Sequence, residues 1–217
     1  MNLFKKNDDR EIKSVVPNNL GWLEKKLSSE EMDYLWRCIN NRGKSTKKYL
    51  VGQIRESNDL NDKSDWFFIN TLKPLILEYS KRFSNLGGDM PVIAKHPYCL
   101  HNMWVNFQRK NEFNPTHDHK GVYSFVVWMK IPTKHSEQAR NPVSCNAMKK
   151  VISKFQFSYI NTIGDMCFYD YEMDPEVEGT LLFFPSKLHH CVYPFYNCDE
   201  ERISISGNIS INTAKVA

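Results

Sequence analysis

Two histidines flank an aspartate in the stretch NPTHDHKG, residues 114–121, which follows a turn-forming Asn-Pro and precedes a strongly β-forming run. His117 and His119 are two positions apart, and side chains at that spacing in a strand point to the same face. We therefore expect the two imidazoles to converge and Asp118 to point the other way. Two imidazoles in this arrangement can bind one metal ion at about 2.0–2.2 Å.

A third metal ligand has to come from another part of the chain, and the best candidate is the stretch GTLLFFPSKLHHCVYPF, residues 179–195. A strand with the apolar sequence LLFF ends at Pro185 and leads to His189 and His190. Only one of two adjacent histidines faces inward on a strand. An isolated HxH pattern can also be a pair of surface polar residues. The second histidine pair, at the end of another apolar strand, favours a metal site.

An arginine and a serine share one face of the strand-like stretch RISISGNISI, residues 202–211, which otherwise looks like core. A buried guanidinium needs an anionic partner. If no protein carboxylate meets Arg202, a ligand carboxylate could do so, with the Ser204 hydroxyl as a second donor. The alternative is an ordinary ion pair with the nearby Glu200 or Glu201.

The elements that must position these residues are predicted to be helices first and then one antiparallel β core. Residues 28–42 have serines able to cap a helix and an apolar stripe behind them. A second helix is expected from about 64 to 82, with a kink or junction at Pro74. After Pro91 short β-rich segments alternate with turn residues, which is typical of a sandwich or barrel. The polar, irregular stretch 133–150 interrupts them, and we expect it to be a mobile flap near the site.

The composition limits the class of protein. A chain of 217 residues with 41% hydrophobic and 25% charged residues can bury one sizeable core. The net charge of +4 permits an anionic ligand, but without a dense basic stripe nucleic-acid binding is not expected. The sequence shows no apolar run of about 18 residues, no secretory signal and six scattered cysteines without a CxxC motif. These features predict a protein without a membrane span, in a reducing cytoplasm.

The order of the three motifs resembles that of the Fe(II)- and 2-oxoglutarate-dependent oxygenases, particularly the prolyl-hydroxylase-like proteins common in bacteriophages. The resemblance covers roughly residues 98–212 and rests on WVNFQRKNEFNPTHDHKGVYSFVVWMKIP, EGTLLFFPSKLHHCVYPF and ERISISGNIS. It implies a mainly β protein with N-terminal helices and a double-stranded β-helix core, the cupin-like jelly roll. We therefore expect a single domain over 1–217, with a helical support region at 1–90 and the oxygenase core at 91–212.

The resemblance also implies roles for individual residues. It implies that Fe(II) is bound by the HxH pair and a distal histidine, which the spacing FPSxLxHxV places at His190 rather than His189. It assigns Arg202 to the far carboxylate of the co-substrate 2-oxoglutarate, with Ser204 assisting. Asn106 and Gln108, on the preceding strand, match polar positions that often face the co-substrate.

One departure from the superfamily leaves the metal ligands open. The usual motif is HxD or HxE, whereas here His119 stands two positions after His117 and the carboxylate, Asp118, comes one residue early. His119 can replace the carboxylate and give a three-histidine site. A bulge can instead bring Asp118 to the metal, or His119 can be the first ligand with Gly121 at the vacant carboxylate position. Strand geometry favours the three-histidine site.

The function implied by the resemblance is a hydroxylase that couples oxidative decarboxylation of 2-oxoglutarate by O2 to oxidation of a substrate. The substrate is a protein, a peptide or a small molecule, and peptidyl proline is an analogy from the family. Two other classes stay open: a non-oxygenase metal-dependent cupin, such as an isomerase or zinc hydrolase, and a metal-free binding jelly roll. The expected location is the cytoplasm, of the host cell if the protein is viral.

Overall fold

Two antiparallel β-sheets face each other in the computed structural model, which describes residues 13–92 and 94–215. The larger sheet has the order β1-β8-β5-β10-β3-β2, and the smaller one β4-β9-β6-β7. The strands are β1 (Leu23–Lys26), β2 (Glu56–Asp59), β3 (Tyr98–Gln108), β4 (Asn114–His117), β5 (Tyr123–Lys130), β6 (Lys154–Ile160), β7 (Met166–Glu172), β8 (Thr180–Pro185), β9 (His189–Val192) and β10 (Arg202–Ile211). The predicted class, mainly β with N-terminal helices and a jelly-roll core, is confirmed.

The helices of the described residues are α1 (Ser29–Asn40), α2 (Lys73–Arg82) and the short α3 (His135–Gln138). The predicted first helix is confirmed, and a capping box begins it. The Ser28 hydroxyl accepts from the backbone N–H of Glu31, and the Glu31 carboxylate accepts from the backbone N–H of Ser28. The Glu31 carboxylate also accepts a hydrogen bond from Thr71, which joins α1 to the second helical region.

The second helical region, expected from about 64 to 82 with a kink or junction at Pro74, is divided into three short pieces. A 3₁₀ turn at Lys63–Asp65 and a π-helical turn at Phe68–Leu72 precede α2. Pro74 stands at the start of α2, where its missing N–H matters least. The expected junction at Pro74 is therefore present, and the π turn lies directly before α2.

The N-terminal region is more than the helical support that the sequence indicated. β1 pairs with β8 and β2 pairs with β3, so this region supplies both edge strands of the larger sheet. Their sequences, LEKK and ESND, have no β-like pattern. Pairing with long neighbouring strands, rather than their own composition, determines their conformation. The division of the chain into 1–90 and 91–212 stays a prediction.

The larger sheet is buried on both faces, and its side chains alternate between two environments. Alternate residues of β5 and β8 pack against the helices, and the residues between them face the smaller sheet. β10 follows the same period: Ile205 and Ile209 join the core under the helices. Its other face is polar and looks into the space between the sheets, with Arg202, Ser204, Ser206 and Asn208 along it. Two apolar layers thus support a polar inner wall.

Candidate active site

Three histidines meet on the smaller sheet. His117 ends β4 and lies opposite His190 of β9, while His119 lies just beyond the end of β4. One ring nitrogen from each histidine lies within 4.8 Å of the others. The Nε2 atoms of His119 and His190 are 3.1 Å apart. Two nitrogen ligands bound at right angles to one metal, each about 2.1 Å away, are separated by about 3.0 Å. The cluster therefore has the dimensions of a metal site.

Backbone carbonyls orient two of these rings. The Nδ1 of His117 lies 2.7 Å from the carbonyl oxygen of Pro115, and the Nδ1 of His190 lies 2.9 Å from that of Leu188. A carbonyl only accepts, so Nδ1 carries the proton and Nε2 keeps a free lone pair toward the cluster. The backbone N–H of His119 donates to the carbonyl of Ser186, which fixes the chain where it leaves β4.

The three imidazoles are held in the neutral form that metal binding requires. Burial, with a smaller contribution from the neighbouring His117, lowers the pKa of His119 to about 4. Burial also lowers the pKa of His117, and it lowers the pKa of His190 well below its ordinary value. Three neutral imidazole nitrogens that face a common position form a ligand set suited to Fe(II), and also to Zn²⁺.

The residues beside the three histidines point elsewhere. Asp118 faces solvent and forms an ion pair with Lys187 at 3.0 Å. His189 is exposed, whereas His190 is 4% exposed. Gly121 has a φ of +129°, and a Cβ there would meet the carbonyl oxygen of Ile209 at 2.8 Å. Asp118 therefore does not reach the cluster. The alternative with a vacant position at Gly121 has no place for His117, whereas His117 lies in the cluster with His119 and His190, as in the three-histidine alternative.

The spacing of His117 and His119 predicted that their side chains converge, and their ring centroids are 5.0 Å apart. β4 ends at His117, so His119 lies beyond the regular strand. There the backbone N–H of His119 donates to the carbonyl of Ser186, a contact that the sequence does not indicate.

A cavity of about 790 Å³ separates the histidines from the polar face of β3 and β10. The two strands are paired so that Arg202 lies opposite Gln108 and Ser204 lies opposite Asn106. All four predicted co-substrate residues line this cavity together with the three histidines. Trp104 and Trp128, which are buried core residues, also contribute to its wall.

Arg202 is the least expected charge in the described part of the chain, because it is 1% exposed and has no carboxylate within ion-pair distance there. Its Nη2 donates to the Ser153 hydroxyl at 2.6 Å, and its Nη1 lies 3.4 Å from both the Gln108 side-chain oxygen and the Tyr193 carbonyl. Its Nε has no partner among the described groups. Burial lowers the pKa of Arg202 to about 9. The guanidinium is therefore a desolvated cation with no counter-charge from residues 13–92 or 94–215.

Among the described residues, Arg202 has no ion pair with a carboxylate, and the alternative pairing with Glu200 or Glu201 is not formed. Glu200 accepts from Lys130 at 2.7 Å, and Glu201 accepts from Arg109 at 2.9 Å. Both glutamates therefore lie at the surface with other partners. An anion that compensates Arg202 has to come from outside the described chain, through the cavity that it lines.

The two amides of β3 that were predicted to face the co-substrate are held in defined orientations. The side-chain oxygen of Asn106 accepts from Ser57, so its NH2 group is left for the cavity. The NH2 of Gln108 donates to the carbonyl of Glu112, and its oxygen faces Arg202. Gln108 thus helps to orient the arginine, and Asn106 presents a donor to the cavity.

The segment that borders the cavity is not the one that the sequence indicated. The stretch 133–150 does not contribute to the described lining of the large cavity and borders a separate hollow of about 140 Å³. Residues 44–54, which sequence reasoning did not single out, line the rim instead. Tyr49 and Val51 there are exposed apolar residues, 75% and 51% accessible. An apolar YLVG run after three lysines was the available signal.

Comparisons with known proteins agree with this geometry. Residues 102–208 match the model of a family described as putative 2OG-Fe(II) oxygenases. A prolyl-4-hydroxylase from Pseudomonas putida is 14% identical, with a TM-score of 0.50 over 87% of this chain and 91% of that one. The non-heme alpha ketoglutarate dependent carbocyclase SnoK from nogalamycin biosynthesis is 8% identical, with a TM-score of 0.52 over 89% and 80%. No curated protein matches the sequence.

The matched motifs and the jelly-roll fold make the chain a member of the Fe(II)- and 2-oxoglutarate-dependent oxygenase superfamily. It is therefore an oxidoreductase of a family that uses Fe(II), 2-oxoglutarate and O2. The donor set fits these groups: the three histidines suit the metal, and the uncompensated Arg202 suits a carboxylate. Across residues 13–92 and 94–215, no helix is long and apolar enough to span a membrane.

Proposed function

We propose that this protein is a 2-oxoglutarate-dependent hydroxylase whose Fe(II) is bound by His117, His119 and His190. The far carboxylate of 2-oxoglutarate binds Arg202. One observation carries the proposal: a buried guanidinium, without a carboxylate partner in the part of the chain that the structure describes, shares a cavity with three neutral imidazoles. An anionic co-substrate that also binds a metal satisfies both ends of this cavity.

The protein groups hold and orient the reactants. The imidazoles present Nε2 lone pairs to the metal. The buried guanidinium of Arg202 presents paired N–H donors, which bind a carboxylate much more strongly than those of an exposed arginine would. Ser204 and the NH2 of Asn106 lie beside it on the same wall and donate to the same ligand. Together, Fe(II), 2-oxoglutarate and O2 supply decarboxylation of the co-substrate to succinate, coupled to oxidation of a substrate C–H bond.

The charge balance of the cavity makes the two bound groups interdependent. None of the three histidines carries a charge, so Fe(II) and Arg202 leave the cavity strongly positive until an anion binds. The nearest acid in sequence, Asp118, is already paired with Lys187 at the surface. The dianion 2-oxoglutarate offsets two of the three positive charges that Fe(II) and Arg202 contribute, so each ligand should strengthen the binding of the other.

The substrate is proposed to enter at the rim formed by residues 44–54. The cavity volume lies within the range of about 300–1,000 Å³ that encloses ligands larger than 2-oxoglutarate. A protein, peptide or small molecule can present a C–H group there, and peptidyl proline is the first candidate to test. Succinate release over a set of candidate substrates identifies the class, because a true substrate accelerates it above the uncoupled rate.

A matched pair of variants tests the proposed entrance. Tyr49 and Met148 are both exposed apolar residues, but only Tyr49 lines the cavity. Tyr49→Ala should reduce substrate-stimulated succinate release and leave the uncoupled rate unchanged, while Met148→Ala should alter neither. If Met148→Ala has the larger effect, substrate enters beside the stretch 133–150 instead.

A second candidate function follows from the same three histidines. Zinc favours such a site, so a zinc hydrolase or a metal-dependent isomerase of the cupin type is the alternative. Neither class requires the buried cation at Arg202. Metal content after anaerobic loading, followed by binding of 2-oxoglutarate, separates the two functions. A protein that retains zinc and binds no 2-oxoglutarate is not the proposed hydroxylase.

We also propose that the chain functions as one unit in the cytoplasm, or in that of a host cell if the protein is viral. All six cysteines are free, in keeping with a reducing compartment. Mass-labelling of thiols in protein purified without reductant tests this proposal, and six reactive thiols after denaturation are expected. Cysteines already paired in disulfides would contradict it.

A further inference from the structure

Ser153 is an unusual residue in the layer behind the cavity. It is completely buried, and its φ of +53° lies in the left-handed region that serine adopts only at a conformational cost. Backbone hydrogen bonds lock it there: its N–H donates to the carbonyl of Pro194, and its carbonyl accepts from Met173. A strained, buried conformation held this firmly places the hydroxyl in one direction.

That hydroxyl accepts from the Nη2 of Arg202 at 2.6 Å, the shortest contact that the guanidinium makes within the described residues. The two contacts of Nη1, to Gln108 and Tyr193, are both 3.4 Å long and therefore weak. The ring of the buried Phe195 lies under the guanidinium carbon at 4.9 Å. Ser153 is thus the main constraint on rotation of the cation within its plane.

We propose that Ser153 is the positioning residue that sets the direction of the Arg202 guanidinium and so determines which length of 2-oxo diacid is accepted. This inference rests on the proposed function. A diacid whose oxo end binds the metal and whose far carboxylate binds Arg202 spans a fixed gap. If the guanidinium cannot rotate, only a diacid of one chain length contacts both the metal and Arg202 with good geometry.

Glycine and alanine at position 153 separate this role from a structural one. Both Ser153→Gly and Ser153→Ala remove the hydroxyl, but glycine adopts a φ of +53° without strain. Ser153→Gly should therefore unfold at a temperature no lower than Ser153→Ala. Ser64, an exposed serine with a φ of +59°, provides the matched control as Ser64→Gly.

The measurement is anaerobic binding of 2-oxoglutarate, its four-carbon analogue oxaloacetate and its six-carbon analogue 2-oxoadipate to Fe(II)-loaded protein. Loss of one hydrogen bond to a charged group should weaken 2-oxoglutarate binding by roughly 10- to 100-fold in both Ser153 variants. The ratio of the affinity for 2-oxoglutarate to the affinities for oxaloacetate and 2-oxoadipate should fall. The iron content should stay unchanged. With saturating 2-oxoglutarate the rate of succinate release should return to that of the wild type, so KM changes and kcat does not.

The outcomes of this measurement test the role of Ser153 and the proposed function separately. Unchanged 2-oxoglutarate affinity and selectivity in Ser153→Gly, or an equal loss in Ser64→Gly, overturns the role of Ser153 and leaves the proposed function standing. If the wild-type protein retains Fe(II) but binds none of the three acids, the proposed function itself fails. If Ser153→Gly does not fold, the same comparison with Ser153→Ala decides the question.

Discussion

Replacing Arg202 by methionine should raise the stability of the ligand-free protein while it removes co-substrate binding. Arg202 is 1% exposed without a carboxylate partner in the described chain, and burial lowers its pKa to about 9. An uncompensated buried charge destabilises the folded state by several kcal/mol, and replacement of buried charges by apolar groups often stabilises by about 1–4 kcal/mol. Arg202→Met should therefore unfold at equal or higher denaturant concentration than the wild type.

Binding should change in the opposite direction. Removing one partner of a buried ion pair costs about 3–5 kcal/mol, which corresponds to a loss of roughly 100- to 5,000-fold in the affinity for 2-oxoglutarate. Iron content should be largely retained, because the three histidines remain. The assays are urea unfolding of the metal-free protein and anaerobic calorimetry of the Fe(II)-loaded protein.

A surface arginine provides the control for both measurements. Arg109 is paired with Glu201 at 2.9 Å with a side chain that is 47% exposed, and exposed pairs of this kind contribute little to stability. Arg109→Met should alter neither stability nor binding by much. A clear loss of stability in ligand-free Arg202→Met would show that the guanidinium has a structural partner, and unchanged 2-oxoglutarate affinity would refute the carboxylate assignment.

Three further predictions concern the metal end of the cavity. Iron per protein after desalting should stay near the wild-type value in Asp118→Asn and His189→Ala. It should fall severely in His119→Ala and His190→Ala. Loss of iron in Asp118→Asn together with retention in His119→Ala would mean a bulged His-Asp site. Dialysis should remove Fe(II) much faster without 2-oxoglutarate than with it, and equal rates would contradict the charge argument. Burial lowers the pKa of His119 to about 4, so the unfolded metal-free chain binds more protons than the folded one below about pH 6.5. Stability by urea unfolding should therefore decline from pH 6.5 toward pH 4, and a flat profile would exclude buried neutral imidazoles.

Much of the inner wall was predictable because a strand repeats with a period of two. In RISISGNISI that period alone places Arg202 and Ser204 on one face and the isoleucines on the other, and the structure has this arrangement. The same rule, with the spacing of FPSKLHHCV, predicted that His190 rather than His189 faces inward. Their roles as ligands stay predictions.

The features that the sequence did not reveal depend on contacts between distant segments. β1 and β2 are four-residue strands whose charged sequences gain their conformation from β8 and β3. The contact of Ser153 with Arg202 joins residues 49 positions apart, and nothing in the local sequence indicates a left-handed serine. The backbone of His119, beyond the end of β4, is likewise held by a hydrogen bond to the carbonyl of Ser186. Local patterns do not encode these pairings.

An anaerobic titration of the protein with 2-oxoglutarate, with and without Fe(II), tests whether the three histidines and Arg202 bind the metal and the co-substrate in one cavity. We expect one equivalent of 2-oxoglutarate bound per Fe(II), with a weak visible charge-transfer absorption that appears only when both are present. Arg202→Met should retain Fe(II) and lack this absorption at the same 2-oxoglutarate concentration. A wild-type protein that holds Fe(II) on its histidines and yet binds no 2-oxoglutarate would refute the proposed function.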